Sequence, residues 1–355
     1  MTEIKFAFAV APTGEAGLSD AALYKEVLAD CKLGDALGYD AAWFLEHHFT
    51  DYFPTPSPLL FMSYIAAHCP RLGLGTCVLV TPWYQPIRLA EEIAMLSHLS
   101  EGELHLGLGR GTAKLEYDAY GVDMEEARDR FRESVEILQR AFSGAAFRYD
   151  GEYYRVEREV RIRPVPQVDR IHLYGAIGSP PSATIMADLG LPPLCVSQFP
   201  PHILEKIMTN WNERATENGL EATPTRPIAV NIFMADTDDE ARDIARRHLA
   251  PFFALQAEHY EAEADHWQNI KGYEQFSRFF ANLEKLADPA NLDPFMDLNM
   301  IGATDTVAER LRGFLDLGYN YIVLQCATEG IPRATRHDTL RRFAADVAPN
   351  FQRAA

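Results

Sequence analysis

Apolar and polar positions along this chain switch repeatedly between two periods. Short runs such as Lys5–Val10 and Glu103–Leu108 alternate apolar side chains as strands do. The stretch from Met124 to Phe142 instead spaces Met124, Phe131, Val135, Leu138 and Phe142 along one helical face. The pattern predicts strands at Lys5–Val10, Ala41–Leu45, Leu72–Val80, Glu103–Leu108, Ile171–Gly175, Leu194–Ser197, Ile228–Ala235 and Tyr319–Gln325. Helices are predicted near 19–37, 57–68, 86–99, 124–142, 180–188, 201–218, 238–250 and 333–347. Thr237-Asp238-Asp239-Glu240 has the form of a capping box, and Thr304-Asp305 opens an extra helix that closes at Gly318. Eight strand–helix units without a break in composition favour one α/β domain over residues 1–355, a (β/α)8 TIM barrel with insertions, over two doubly wound halves.

Two stretches interrupt the pattern. Tyr149-Asp150-Gly151-Glu152-Tyr153 carries an Asp-Gly turn signal and reads as a hairpin. The segment from about 252 to 299 is longer than a plain connection, and mixes Trp267, Tyr273, Phe276, Phe279 and Phe280 with many charges. It is expected to be a lid insertion over an active site.

Composition narrows the partners. At 47% hydrophobic and 24% charged residues, the chain of 355 residues has the make-up of a soluble globular protein. A net charge of -18 argues against nucleic acid or an anionic membrane surface as partner, and no apolar run is long enough to span a bilayer. The five cysteines, Cys31, Cys69, Cys77, Cys195 and Cys326, are odd in number and lack a Cys-x-x-Cys pair, which fits a reducing, cytoplasmic setting. On so acidic a chain an anionic ligand must be met by a local cluster of arginines.

Such a cluster is legible. Arg128 falls within the arc of the 124–142 apolar stripe, where a guanidinium is costly unless a carboxylate or a bound phosphate meets it. Arg110 follows the strand at 103–108 between Gly109 and Gly111, which let backbone approach a ligand. A dinucleotide fingerprint is only weakly suggested there, because Thr112 stands at its third glycine and no helix starts at once. In Gly178-Ser179-Pro180-Pro181-Ser182, Ser179 suits an N-cap and Pro180 the first helical position, and a helix start offers free N–H groups to a phosphate. Together the three elements favour a phosphate site. His47 and His48 end the second strand and point to opposite sides, so they do not chelate one metal, and no metal-ligand spacing appears. For His47 an acid–base role and simple pairing with loop carbonyls both stand; for His48 the structural role is favoured.

Ala42-Trp43-Phe44-Leu45-Glu46-His47-His48-Phe49-Thr50, Gly107-Leu108-Gly109-Arg110-Gly111, the helix of Arg128, and Ser179-x-x-Ser182 before Gly190-Leu191-Pro192 resemble the luciferase-like flavin monooxygenases, in particular bacterial luciferase alpha subunits. Lys271-Gly272-Tyr273 and the last strand–helix unit extend the resemblance over nearly the whole chain. It implies a (β/α)8 barrel that receives reduced FMN from a separate flavin reductase, adds O2 to give a C4a-peroxyflavin, and oxidises a small-molecule substrate. Aldehyde or ketone oxidation and hydroxylation are the reactions implied. Arg110, Arg128, Ser179 and Ser182 would hold the phosphate, His47 would be the catalytic histidine, and Cys77-Val78 would mark a cis peptide against the flavin ring. Family members pair through barrel helices, so a homodimer through the helices near 57–68 and 86–99 is expected. Gly109 stands where luciferases carry a reactive cysteine and Gly178 where they carry an acidic residue, so light emission is not expected. An F420-dependent oxidoreductase of the same superfamily and a non-catalytic flavin-binding protein are the alternatives.

Overall fold

The computed structural model describes residues 3–221, 224–262, 270, 273 and 282–351. Its centre is a closed ring of eight parallel strands: β1 Lys5–Val10, β2 Ala41–Phe44, β3 Gly73–Val80, β4 Leu104–Gly109, β7 Ile171–Ala176, β8 Pro193–Val196, β9 Pro227–Met234 and β11 Tyr321–Gln325. Around the ring the order is β9-β11-β1-β2-β3-β4-β7-β8, and β8 pairs back onto β9. This is the expected (β/α)8 barrel, with the ends of several strands moved by one or two residues. The hairpin β5 Phe147–Asp150 and β6 Arg155–Val160 forms where the Asp-Gly signal lies. A three-residue strand, β10 Met300–Gly302, pairs with β9 outside the ring; it is too short to leave a period in the sequence.

The helices are α1 Asp20–Leu37, α2 Pro58–Ala66, α3 Pro86–Leu99, α4 Lys114–Tyr120, α5 Ala127–Phe142, α6 Pro180–Asp188, α7 Pro201–Glu217, α8 Asp238–His259, α9 Asp293–Asp297, α10 Thr304–Asp316 and α11 Arg333–Arg342. Thr237 caps α8 through Glu240 N–H at 3.3 Å, as the capping box requires. Two expectations are corrected. Met124–Glu126 is a 3-10 turn and α5 begins at Ala127, so the helical arc computed from Met124 does not reach Arg128, which is exposed and not core-facing. α8 continues nine residues beyond 250 to His259 and buries Phe252 and Phe253, so the first part of the expected lid is a barrel helix. Trp267, Phe276, Phe279 and Phe280 lie outside the described residues, while Tyr273 is fully buried.

Strand alternation divides the core in two. Phe6, Phe8, Phe44, Leu74, Leu104, Leu106 and Leu108 pack outward beneath the helices, whereas Ala7, Ala9, Trp43, Tyr174, Tyr321 and Val323 fill the ring. The inner filling is graded. Near the strand starts, Trp43 packs edge-on to Tyr321 at 5.5 Å and parallel to His105 at 6.0 Å, and a Cβ on Gly75 would meet Trp43 at 2.6 Å. Towards the strand ends the inward positions include the small residues Ala9, Gly109 and Ala176, and a cavity opens. Large side chains plug the floor, so the ring itself leaves ligand space at its mouth.

Burial pushes the floor histidine, His105, down to about 4 from the ordinary 6.5, and Glu103 at 3.4 Å only partly offsets it. The unfolded chain therefore binds a proton that the folded chain refuses between these values. The stabilisation is full above pH 6.5 and is lost as pH falls towards 4. Replacing His105 by Phe should flatten the fall in melting temperature from pH 7 to pH 4.5, by up to about 3 kcal/mol of stability. His47, also depressed to about 4, keeps some slope in the variant. Parallel pH–melting curves for the two proteins would contradict the assignment.

Candidate active site

The cavity at the C-terminal mouth measures about 320 Å³ and takes its walls from most of the strand ends. One wall comes from β3 and β4. Their register slips between Thr76 and Leu79, and the Cys77–Val78 peptide within this bulge is cis. Val78 thereby lies across β4: a Cβ on Gly109 would meet Val78 Cγ2 at 2.5 Å, and one on Gly107 would meet Leu194 Cδ2 and the Thr76 carbonyl oxygen at 2.4 Å. Glycine at 109 keeps the cavity wall flat, and glycine at 107 admits Leu194 and the Thr76 carbonyl. Burial raises the Cys77 thiol to about 12, so it faces the cavity as a neutral group.

One end of the cavity is cationic. Arg110 leaves β4 with its guanidinium 4.0 Å above the Tyr273 ring, and the Tyr273 hydroxyl donates to the Gly111 carbonyl at 2.9 Å. Tyr117 of α4 donates its hydroxyl to the Arg110 carbonyl, fixing the backbone there. Arg128, in the first turn of α5, reaches the cavity from the solvent side. Its helix neighbours Arg130 and Arg132 pair with Glu126 at 2.8 Å and Asp129 at 3.4 Å, whereas Arg128 meets no carboxylate among the described residues. Gly178 and Ser182 line the cavity at the start of α6. Ser179 occupies the N-cap position with extended backbone, but its hydroxyl does not cap; it pairs with Ser182 Oγ at 2.8 Å. The fold thus brings Arg110, Arg128, Gly178 and Ser182 to one cavity, with Ser179 immediately behind.

Another part of the wall is built on the end of β2. His48 turns into the wall, between Glu46 at 3.3 Å and the Tyr120 hydroxyl at 2.9 Å. His47 turns the other way and lines the cavity, against the Tyr52 ring at 4.5 Å between centroids. Its Nδ1 faces Glu116 Oε1 at 3.7 Å, and His259 Nε2 faces the same oxygen at 3.4 Å. Burial holds His47 neutral, down at about 4. For Glu116, burial works upward, but its contacts with His259 and His47 outweigh it and hold the carboxyl down at about 2. Glu116 and His259 carried no signal in the sequence. They stand on α4 and at the end of α8, far from His47 in the chain, and no ligand or dyad spacing links them.

A closed parallel barrel with a largely apolar pocket at its mouth, lined by two arginines and a neutral histidine, is the architecture of a (β/α)8 protein with a ligand site at its C-terminal face. The model of the luciferase-like monooxygenase family matches residues 4–321, and the chain belongs to that family. It is 25% identical to the oxygenase component of a flavin-dependent trigonelline monooxygenase of Acinetobacter baylyi, over 93% of this chain and 90% of that one. It is 27% identical to an F420-dependent glucose-6-phosphate dehydrogenase of Kineococcus radiotolerans over 88% of each. Its matches to two uncharacterised proteins of Sinorhizobium fredii, 36% and 34% identical, span only 39% and 53% of their length. A solved monooxygenase from Streptomyces bottropensis shares the fold at a TM-score of 0.77, with 24% identity over 98% of this chain and 100% of that one. Among the described residues no helix is long and apolar enough to cross a membrane.

The Val78–Gly109 approach is open to measurement. Gly109→Ala should cost about 1–3 kcal/mol in urea unfolding, because the added carbon overpacks a fixed wall. Val78→Ala in the same chain should recover much of that loss. An unchanged urea midpoint in Gly109→Ala would show that the wall yields freely.

Proposed function

We propose that this protein is a monooxygenase that accepts reduced FMN from a separate flavin reductase and uses O2 to oxidise a small organic substrate. The observation that carries this reading is the convergence of Arg110, Arg128 and Ser182 on the cavity that also holds His47 and the flat β3–β4 wall. The donor set fits the group. Two guanidiniums, serine hydroxyls and a helix N-terminus are what a phosphate monoester requires, and an apolar wall free of a side chain at Gly109 suits a planar ring. Arg110, Arg128, Ser179 and Ser182 would hold the phosphate, and Cys77, Val78 and Gly109 would face the ring. Reduced flavin, when bound, supplies the electrons that activate O2. The surrounding apolar side chains exclude water, and neutral His47 accepts or returns a proton at the imidazole nitrogen turned to the cavity. The family membership and the flavin-dependent relative support the oxygenase reading over a non-catalytic one, and the F420-dependent relative makes cofactor choice the first thing to measure.

Anaerobic titration should show tight binding of reduced FMN and weaker binding of F420. Arg128→Ala and Arg110→Ala should each weaken reduced FMN by about 10- to 150-fold, the worth of one charge-assisted phosphate contact at about 1.5–3 kcal/mol. His47→Ala should leave that binding intact while lowering aldehyde or ketone turnover by about 10²–10⁴-fold. Preference for F420, or full affinity in Arg128→Ala, would overturn the reading.

We infer in addition that two copies pair through α2 and α3. Leu60, Tyr64, Met95 and Leu99 stand exposed there, at 72%, 47%, 51% and 54%, on two helices packed side by side. Sedimentation should give a dimer at micromolar concentration and a monomer for Leu60→Glu with Met95→Glu. A monomeric parent protein would refute this.

A further inference from the structure

The described residues of the cavity wall include one group that proton handling by a single histidine does not account for. Glu116 is buried, with its side chain 2% exposed, and its Oε1 is the meeting point of three nitrogens, two from the segment after β2 and one from the end of α8. The His48 backbone N–H donates to it at 2.7 Å. His259 Nε2 lies 3.4 Å away and His47 Nδ1 3.7 Å away, and neither nitrogen has a hydrogen-bond partner among the described residues. The two imidazoles meet edge to face at 4.9 Å. The far nitrogen of His259, Nδ1, is taken by the Thr50 hydroxyl at 2.7 Å.

We propose that Glu116 and His259 are positioning residues for His47: the carboxylate selects the tautomer with hydrogen on Nδ1, leaving the Nε2 lone pair to the cavity, and His259 holds the carboxylate in place. The inference rests on the proposed function only in taking His47 as the proton-handling group. The selection is electrostatic. A lone pair on His47 Nδ1 would face an anionic oxygen, whereas an N–H there is attracted to it. The same reasoning places hydrogen on His259 Nε2, so that its Nδ1 accepts from the Thr50 hydroxyl. Three N–H donors then converge on one buried carboxylate, which keeps it ionised. Distances of 3.4–3.7 Å are longer than formed hydrogen bonds, as is common before a ligand tightens such a site. When His47 Nε2 takes a proton from a reacting hydroxyl or carbon acid, the N–H bond forms as the substrate's O–H or C–H bond breaks. The resulting imidazolium then faces the Glu116 carboxylate, which stabilises it. The other titratable groups around His47 are His48, Tyr52, Tyr260 and Cys77; burial raises the two phenols and the thiol, and His48 is committed to Glu46 and Tyr120. Glu116 is therefore the anion that sets the state of His47.

The test reads the tautomer directly, on the full chain without flavin or substrate. Selective 15N-histidine labelling gives one set of imidazole nitrogen signals per histidine, and His47 is assigned by its loss in His47→Gln. The parent protein should show Nδ1–H on His47. Glu116→Gln, which keeps the shape and removes the charge, should move His47 to Nε2–H or to a mixture. His259→Phe should loosen the selection, and His259→Gln, which keeps a donor, should restore it. With reduced FMN and O2, Glu116→Gln should lower kcat about 10²-fold with KM little changed, and should shift the acid limb of the pH–rate profile. His259→Phe and His259→Gln do not touch the His48 N–H bond, so they keep the test readable should Glu116→Gln fold poorly. An Nδ1–H tautomer that survives both Glu116→Gln and His259→Phe overturns the proposal. So does a stoichiometric divalent cation in the purified protein whose removal by chelator shifts the His47 signals. Because the tautomer is read without cofactor, its failure leaves the flavin reading standing, and failure of reduced FMN to bind leaves the tautomer result standing.

Discussion

Two carboxylates are buried at the barrel mouth, and the rim is arranged around satisfying them. Glu46, at the end of β2, accepts from the Val80 N–H at 2.8 Å, the Tyr84 hydroxyl at 2.8 Å and the Trp83 indole at 3.3 Å, with His48 Nε2 at 3.3 Å. Left unpaired, such a group costs several kcal/mol. Four donors from β2, β3 and the turn after β3 therefore lock those strand ends together. His48 is the link to the second carboxylate, since its ring serves Glu46 while its backbone N–H serves Glu116. With His48 fixed on the wall side, an extended backbone has one direction left for His47, and that is the cavity. The candidate base is thus aimed by its neighbour's obligations.

The same constraint explains what could and could not be read from the chain. The barrel was legible because its signal is local and repeated: outward Phe6, Phe8 and Val10 alternate with inward Ala7 and Ala9, and each strand carries its own turn and cap residues. The cationic end was legible residue by residue, since Arg110, Arg128 and Ser182 each follow a strand end or open a helix. The argument from burial failed for Arg128, because a 3-10 turn over Met124–Glu126 breaks the helical phase that the angle assumed. Ser179 likewise sits at the N-cap without capping, its hydroxyl drawn to Ser182. Glu116 and His259 were invisible for a different reason. A buried carboxylate reached from α4 and an imidazole delivered by a helix nine residues longer than its pattern suggested are products of tertiary closure, and no periodicity records them.

Charge distribution completes the account. The chain carries 51 acidic and 33 basic residues, yet the site proposed for an anion lies within it. At physiological salt a charge is screened over about 8 Å, so the diffuse negative surface contributes little inside a pocket. What counts is which arginines remain uncommitted. Arg88, Arg130, Arg214, Arg242, Arg246 and Arg342 each hold a carboxylate at 3.1 Å or less, and Arg336 is buried against Asp30 and Glu26. Arg128 stands outside these pairs among the described residues, and it stands at the cavity. The same wall also holds an anion, Glu116, within 3.7 Å of two imidazoles. The cavity wall therefore carries fixed positive charge, on Arg110 and Arg128, and a buried carboxylate beside His47. On the function proposed above, the anionic group of a ligand would go to Arg110 and Arg128, and its ring to Val78 and His47.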